Sequence, residues 1–172
     1  MDIVIREYEP KDIKDMCDIW NYVVDEANAF PQNNKLDAMS GTRFFSEQTF
    51  TGVAEDIDTH EILAMYILHP NNVGRCSHIC NASYAVKKEA RGTGIGRKIV
   101  EHSLAKGKER GFHIMQFNAV TAANTAAHAL YEKLGFTPLG IIPEGYLLPD
   151  GSYDDIQLYF KKLCADACAP DG

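Results

Sequence analysis

Three glycines at every second position, Gly92, Gly94 and Gly96, stand just after a strand-like run and open a helical run whose inner face is Ile95, Ile99, Val100 and Leu104. That spacing strips side chains from a strand-to-helix turn. The amides of a first helical turn have no intrahelical acceptor and point outward, so the turn is shaped to receive an anion, above all a phosphate. Arg91, Arg97 and Lys98 place positive charge at the same helix start, where the helix dipole disfavours it, and a bound anion relieves the conflict. The plainer alternative is an ordinary turn flanked by solvated cations.

The two common phosphate loops do not match. A nucleotide-triphosphate loop ends in Gly-Lys-Ser/Thr, whereas Gly96 is followed by Arg97 and Lys98, with no hydroxyl for magnesium. The dinucleotide fingerprint requires a third glycine where Ile99 stands.

The rest of the chain frames this loop. Ile3 to Tyr8 alternates as a strand, and Pro10 and Asp12 supply helix-start chemistry before Ile13, Met16, Trp20, Val23, Val24 and Ala27 recur at helical spacing. Turn formers at 30–35 break that helix, and Met39 to Gln48 reads as a second short one. Phe30, Phe44 and Phe45 either line a pocket there or pack beneath the loop. Thr49 to Glu55 and Glu61 to Leu68 form a hairpin, and a long turn from His69 to Arg75 leads to a strand from Ser77 to Val86. The pattern then becomes helix (Gly94 to Arg110), strand (His113 to Val120) and helix (from Thr121 or Asn124 to Leu134). The two strands flanking the first of these helices must run parallel if it is an ordinary crossover. Leu139 to Leu148 and Tyr153 to Leu163 read as two last strands around a turn at Pro149, Asp150 and Gly151. Residues 1–163 are thus expected to form one α+β domain with a mixed sheet, followed by a flexible tail at 164–172.

Composition removes several function classes. The chain has 172 residues and a net charge of -7, which argues against nucleic acid as the main ligand. No apolar run approaches the roughly 20 residues of a membrane span, and the N-terminus lacks a signal-peptide layout, so the expected location is cytoplasmic, away from membranes. Five cysteines, an odd count, read as reduced thiols. Cys76, His78 and Cys80 would share a strand face, yet their spacing is not that of a zinc site and no second ligand pair follows, so no metal is expected.

With these residues in place, 86–96 resembles the acetyl-CoA signature of the GCN5-related N-acetyltransferase (GNAT) superfamily, whose core is met by Arg91, Gly94 and Gly96. Asn124 to Phe136 resembles that superfamily's second motif, with Asn124, Ala127, Tyr131 and the closing Gly135-Phe136 at matching spacing. The resemblance spans nearly the whole chain. It implies a GNAT fold: a mixed, mostly antiparallel sheet with helices on both faces and one parallel strand pair splayed at the cofactor site. It also implies acetyl-CoA as cosubstrate, held by Tyr84, Val86, Arg91, Gly92, Thr93, Gly94, Ile95, Gly96, Arg97, Asn124 and Ala127.

For Tyr131 the resemblance implies protonation of the departing CoA thiolate, against the alternative of a core aromatic. The segment 74–82, with Phe117 and Asn118, is similar to the branch typified by the yeast acetyltransferase of proline analogues such as azetidine-2-carboxylate. There two asparagines face the substrate, and they fall here on Asn81 and Asn118. An asparagine in an apolar strand needs partners for both ends of its amide, so each either meets substrate or bridges a strand irregularity.

The function expected is therefore acetyl transfer to a small-molecule amine, in particular an amino or imino acid, by direct attack. An acetyl-CoA sensor module and a protein or peptide N-acetyltransferase are the rival readings. His78, Glu55 and a water relay are all open as the base. Since the last strands of such folds often pair, a homodimer is an expectation.

Overall fold

The computed structural model describes residues 2–164, so the expected tail lies outside the described residues apart from Cys164. The elements follow in the order β1 (Ile3–Glu7), α1 (Ile13–Glu26), α2 (Ala38–Ser46), β2 (Phe50–Asp56), β3 (Ile62–Pro70), β4 (Ile79–Val86), α3 (Ile95–Glu109), β5 (Ile114–Thr121), α4 (Thr125–Lys133), β6 (Thr137–Leu147) and β7 (Tyr153–Lys162). They form one seven-stranded sheet of order β1-β2-β3-β4-β5-β7-β6, antiparallel except between β4 and β5.

Capping chemistry sets the helix starts that matter here. Asp37 accepts the Ser40 amide at 2.7 Å to open α2, and the Asn124 side chain accepts the Ala127 amide at 3.3 Å to open α4, which fixes that helix start at the later of the two expected positions. Gly135, at φ 81, ends α4 in the left-handed conformation and turns Phe136 back into the core.

Helices cover both faces. Met16, Trp20 and Val23 of α1 and Phe45 of α2 pack on Val53, Met65, Ile67 and Ala85. On the other face Ile95, Ile99 and Val100 of α3 meet Tyr66, Leu68, Met115 and Phe117, and Leu130, Tyr131 and Leu134 of α4 pack against the same cluster. Covered on both sides, β3 reads as a continuous apolar run rather than an alternation. Phe30 and Phe45 are buried beside Trp20, with ring centroids 4.3 Å and 6.0 Å from it, so the loop aromatics do pack inward.

Two boundaries differ from the sequence reading in ways that matter. Strand β3 continues through His69 to Pro70, and its register pairs His69 with Asn81. The proline is tolerated because pairing with β2 has ended at Leu68, while the ladder to β4 runs on to the Asn71 amide, which donates to the Ile79 carbonyl at 2.8 Å. Strand β4 begins only at Ile79, so Cys76 sits in a preceding helical turn and does not share a strand face with His78 and Cys80. Among the described residues no group of three or more His, Cys, Asp or Glu side chains is placed to hold a metal, and no helix is long and apolar enough to cross a membrane.

Candidate active site

The parallel pair β4–β5 is joined for only two steps, Ile79 to Ile114 and Cys80 to Met115, with the His78 carbonyl accepting the His113 amide at 2.9 Å. From Asn81 and Gln116 onward the strands part, while β5 stays laddered to β7 on its far side. The unpaired inner edges of β4 and β5 therefore flank a gap in the middle of the sheet, with backbone donors and acceptors available to a ligand that enters it.

Two cavities meet in that gap. The first, about 320 Å³, is lined by Tyr84 and Val86 of β4, by Arg91, Gly92, Ile95 and Gly96 of the glycine turn, by Asn124, and by Glu26 and Asn28 at the end of α1. Gly92 and Gly94 hold φ of 78° and 85°, and a methyl group built on Gly92, Gly94 or Gly96 meets nothing within 4 Å. The turn is an open cradle. Gly94 caps α3 with no side-chain acceptor, so the first amides of a 15-residue helix face the cradle unclaimed. Thr93 braces the turn by donating its hydroxyl to the Ala90 carbonyl at 2.6 Å.

Of the residues expected around the cofactor, Thr93, Gly94, Arg97 and Ala127 do not line this cavity, and Ala127 lines the second one instead. Arg97 reaches back along α3 to Glu101 at 2.8 Å. The guanidinium of Arg91 is engaged by Glu26 in a two-pronged pair at 2.7 Å and lies over the Tyr22 ring.

The second cavity, about 270 Å³, shares Ala29, Tyr84 and Asn124 with the first and extends to His69, Asn81, Phe117, Asn118, Ala127 and Tyr131, with Phe30 to Gln32 along one side. Asn81 and Asn118 come together here, joined by a residue that sequence reasoning missed. The Asn71 carbonyl oxygen accepts from Asn118 at 2.6 Å and from Asn81 at 3.3 Å, and the Asn71 amide nitrogen donates to Asn118 at 3.3 Å. Gln116 also donates to the Asn118 oxygen, at 3.0 Å. The amides thus satisfy one another across the mouth of the splay. Asn81 and Asn118 each keep one amide hydrogen to spare.

These arrangements coincide with a known family. The profile of the acetyltransferase (GNAT) family matches residues 17–136. The N-acetyltransferase aca1 of Schizosaccharomyces pombe is 32% identical over 155 residues, covering 81% of this chain and 74% of aca1. The chain belongs to the GNAT family of acetyltransferases. Among solved structures, a GCN5-related N-acetyltransferase from Kribbella flavida superposes with a TM-score of 0.85 at 26% identity, covering 93% of this chain and 97% of that one. The fold is also that of yncA from Salmonella typhimurium, solved with its cofactor acetyl-CoA, with a TM-score of 0.88 at 19% identity over 99% of this chain and 98% of the other.

As a member of the GNAT family this chain is an N-acetyltransferase, and the residues present fit acetyl-CoA as its cosubstrate. The open glycine cradle with its helix amides suits a pyrophosphate, and the parted strand edges suit an amide-bearing pantetheine arm.

Tyr131 stacks on Phe117 at 4.4 Å between ring centroids, and Phe117 stacks in turn on Phe136 at 4.7 Å. Tyr131 lines the second cavity, and the contacts that hold its side chain are those of its ring with Phe117, Phe136 and Tyr159. Burial, reinforced by neighbouring Tyr159, pushes its pKa up, so it stays a neutral phenol with a proton to give. Tyr84 differs. Its hydroxyl lies 2.7 Å from Ser103 on α3, which leaves its main chain as what it offers the gap.

Two residues held open as the base lie elsewhere. Glu55 is 2.6 Å from Arg6 and 2.7 Å from His60, and His78 faces His113 at 6.2 Å between rings. Neither lines either cavity. His69 does line the second one, although the sequence placed it in a turn.

Proposed function

We propose that this enzyme acetylates the amine of a small molecule, and that an amino or imino acid best matches its acceptor cavity. The observation that carries this reading is the pair of amides Asn81 and Asn118, tied together by Asn71, in a cavity whose lining includes no Asp, Glu, Lys or Arg. A polyamine or an aminoglycoside brings several ammonium groups, each of which needs a carboxylate when desolvated. A single amine beside one carboxylate needs less. The spare amide hydrogens of Asn81 and Asn118 suit the carboxylate, and the Asn81 oxygen suits the amine.

On this reading the amides of Gly92, Gly94, Ile95, Gly96 and Arg97 hold the pyrophosphate, with Arg91 and Thr93 fixing the turn. The main chain at Tyr84 and Val86 aligns the pantetheine arm beside Asn124 and Ala127. A β4 amide polarises the thioester carbonyl. Tyr131 donates its proton to the sulfur as the carbon–sulfur bond breaks.

The test is a thiol-release screen across amino acids, imino acids, polyamines, aminoglycosides and a peptide with a free N-terminus. CoA release with amino or imino acids above all other classes is the expected result. A preference for the peptide or for polycations overturns the small-acceptor reading. Acetyl-CoA binding with no release for any amine makes the protein a sensor.

A further inference from the structure

We propose that His69 is the general base of this transferase, its Nε2 removing the proton from the acceptor's ammonium group. The inference rests on the acceptor cavity assigned above. His69 stands near the end of β3, directly opposite Asn81 in the antiparallel register, so the two side chains share one face of the sheet, and both line that cavity.

The tautomer follows from one contact. The His69 Nδ1 lies 2.9 Å from the carbonyl oxygen of Pro70, which can only accept. Nδ1 therefore carries the hydrogen, and in the neutral ring the lone pair is on Nε2. Among the residues lining the cavity the other titratable side chains are Tyr84 and Tyr131, both phenols pushed upward by burial. The polar side chains that line the cavity with His69, from β4 (Asn81, Ser83), β5 (Asn118), the loop (Gln32) and α4 with its cap (Tyr131, Asn124), include no Asp, Glu, Lys or Arg. An incoming ammonium thus meets one imidazole, with the Nε2 lone pair that general-base work requires.

The step balances without a further reagent. The ammonium N–H bond breaks and its proton passes to Nε2, giving an imidazolium. The freed lone pair forms the carbon–nitrogen bond at the thioester carbonyl, and the carbon–sulfur bond breaks with the sulfur taking the Tyr131 proton. The nitrogen's remaining surplus proton restores Tyr131, and the imidazolium releases its proton to solvent.

The test compares wild type with His69→Gln and His69→Ala on whichever amine, free or peptide-borne, the wild-type enzyme acetylates. The variants are expected to bind acetyl-CoA with wild-type affinity by calorimetry and to lose roughly 100-fold in kcat, the usual scale for a displaced general base. Their rate should climb steadily with pH as free amine accumulates, without the acid limb that a histidine base imposes on the wild type. Added imidazole should restore part of the His69→Ala rate. A His69→Gln enzyme that keeps wild-type kcat and its acid limb overturns the assignment, as does a loss confined to KM. Failure of the small-acceptor reading shows separately, as a wild-type preference for the peptide.

Discussion

Arg91 and Glu26, 65 residues apart, face each other with both guanidinium prongs 2.7 Å from the carboxylate oxygens, tying the glycine turn to the end of α1. The hydrogen bond to Glu26, outweighing burial, raises the Arg91 pKa further, so the guanidinium stays charged. Glu26 also lines the cavity beside the glycine turn, where a free carboxylate would repel a phosphate. If the pair acts by positioning the turn, Arg91→Ala and Glu26→Ala each weaken acetyl-CoA binding roughly three- to tenfold, and the double variant adds little more. Calorimetry on the three variants reads this directly. Tighter binding in Glu26→Ala would show instead that Arg91 is a phosphate ligand held back by its partner. The exposure of the pair keeps its worth to stability at about 1 kcal/mol or less.

Gly94 and Gly96 separate conformation from space. Gly94 sits at φ 85°, so Gly94→Ala strains the backbone by about 1–2 kcal/mol and should lower the melting temperature as well as acetyl-CoA affinity. Gly96 lies in the first turn of α3 with a negative φ, and a methyl there meets no protein atom within 4 Å. Gly96→Ala should keep or slightly raise thermal stability while losing affinity, because the methyl occupies the phosphate's space and alanine is the better helix former. Melting curves with and without acetyl-CoA distinguish the two.

The donor half of the site was legible in the sequence because its signals are local. A glycine turn, the helix it opens and the Asn124 cap each fit within a dozen residues, and the parallel pair follows from one crossover rule. The acceptor half was less so. Asn81 and Asn118 were singled out for being polar in apolar strands, but Asn71 stood in an apparent turn and joins them only because β3 runs on to Pro70. His69 was hidden by the same boundary, since a proline beside it reads as strand termination. The Arg91–Glu26 pair leaves no local trace at all. It arises when α1 is laid on the sheet beside β4, a tertiary event that periodicity cannot report.

Tyr131→Phe isolates the hydroxyl from the ring. The ring contacts with Phe117 and Phe136 are retained, so stability should stay within about 0.5 kcal/mol of wild type. If the phenol protonates the leaving thiolate, kcat falls roughly 10²-fold, with the KM for acetyl-CoA little changed. Donor analogues whose thiols are more acidic need less help, and they should narrow the gap between variant and wild type.

Asn71→Ala removes the acceptor shared by Asn81 and Asn118 without touching the glycine cradle. The two amides should then lose their common orientation, raising the acceptor KM roughly tenfold for about 1.4 kcal/mol of lost binding. The acetyl-CoA dissociation constant should not move. Steady-state kinetics against both substrates decide it, and an equal loss on both sides would mean that Asn71 holds the splay itself.

Acid stability rests on a network away from the site. Arg6 lies 2.7 Å from Asp12 and 2.6 Å from Glu55, whose side chains are only 4% and 10% exposed, and His60 approaches Glu55 from the other side. Burial pushes the Asp12 carboxyl up, but the Arg6 guanidinium and the Glu9 amide outweigh it and hold it below its usual range. His60 and then Arg6 do the same for Glu55. A carboxylate with a lowered folded pKa stabilises the fold at all pH above its unfolded value, roughly 4, and ceases to do so as pH falls through the folded value. Arg6→Met takes the shared cation from two nearly buried carboxylates, leaving Asp12 the Glu9 amide and Glu55 the His60 ring, and should cost about 2–3 kcal/mol at pH 7. Because these carboxylates can then protonate, the difference between variant and wild type should shrink steadily from about pH 5 downward. Urea midpoints measured from pH 7 to pH 3 test the sign. A gap that stays constant or widens in acid would mean that the carboxylates are not what Arg6 stabilises.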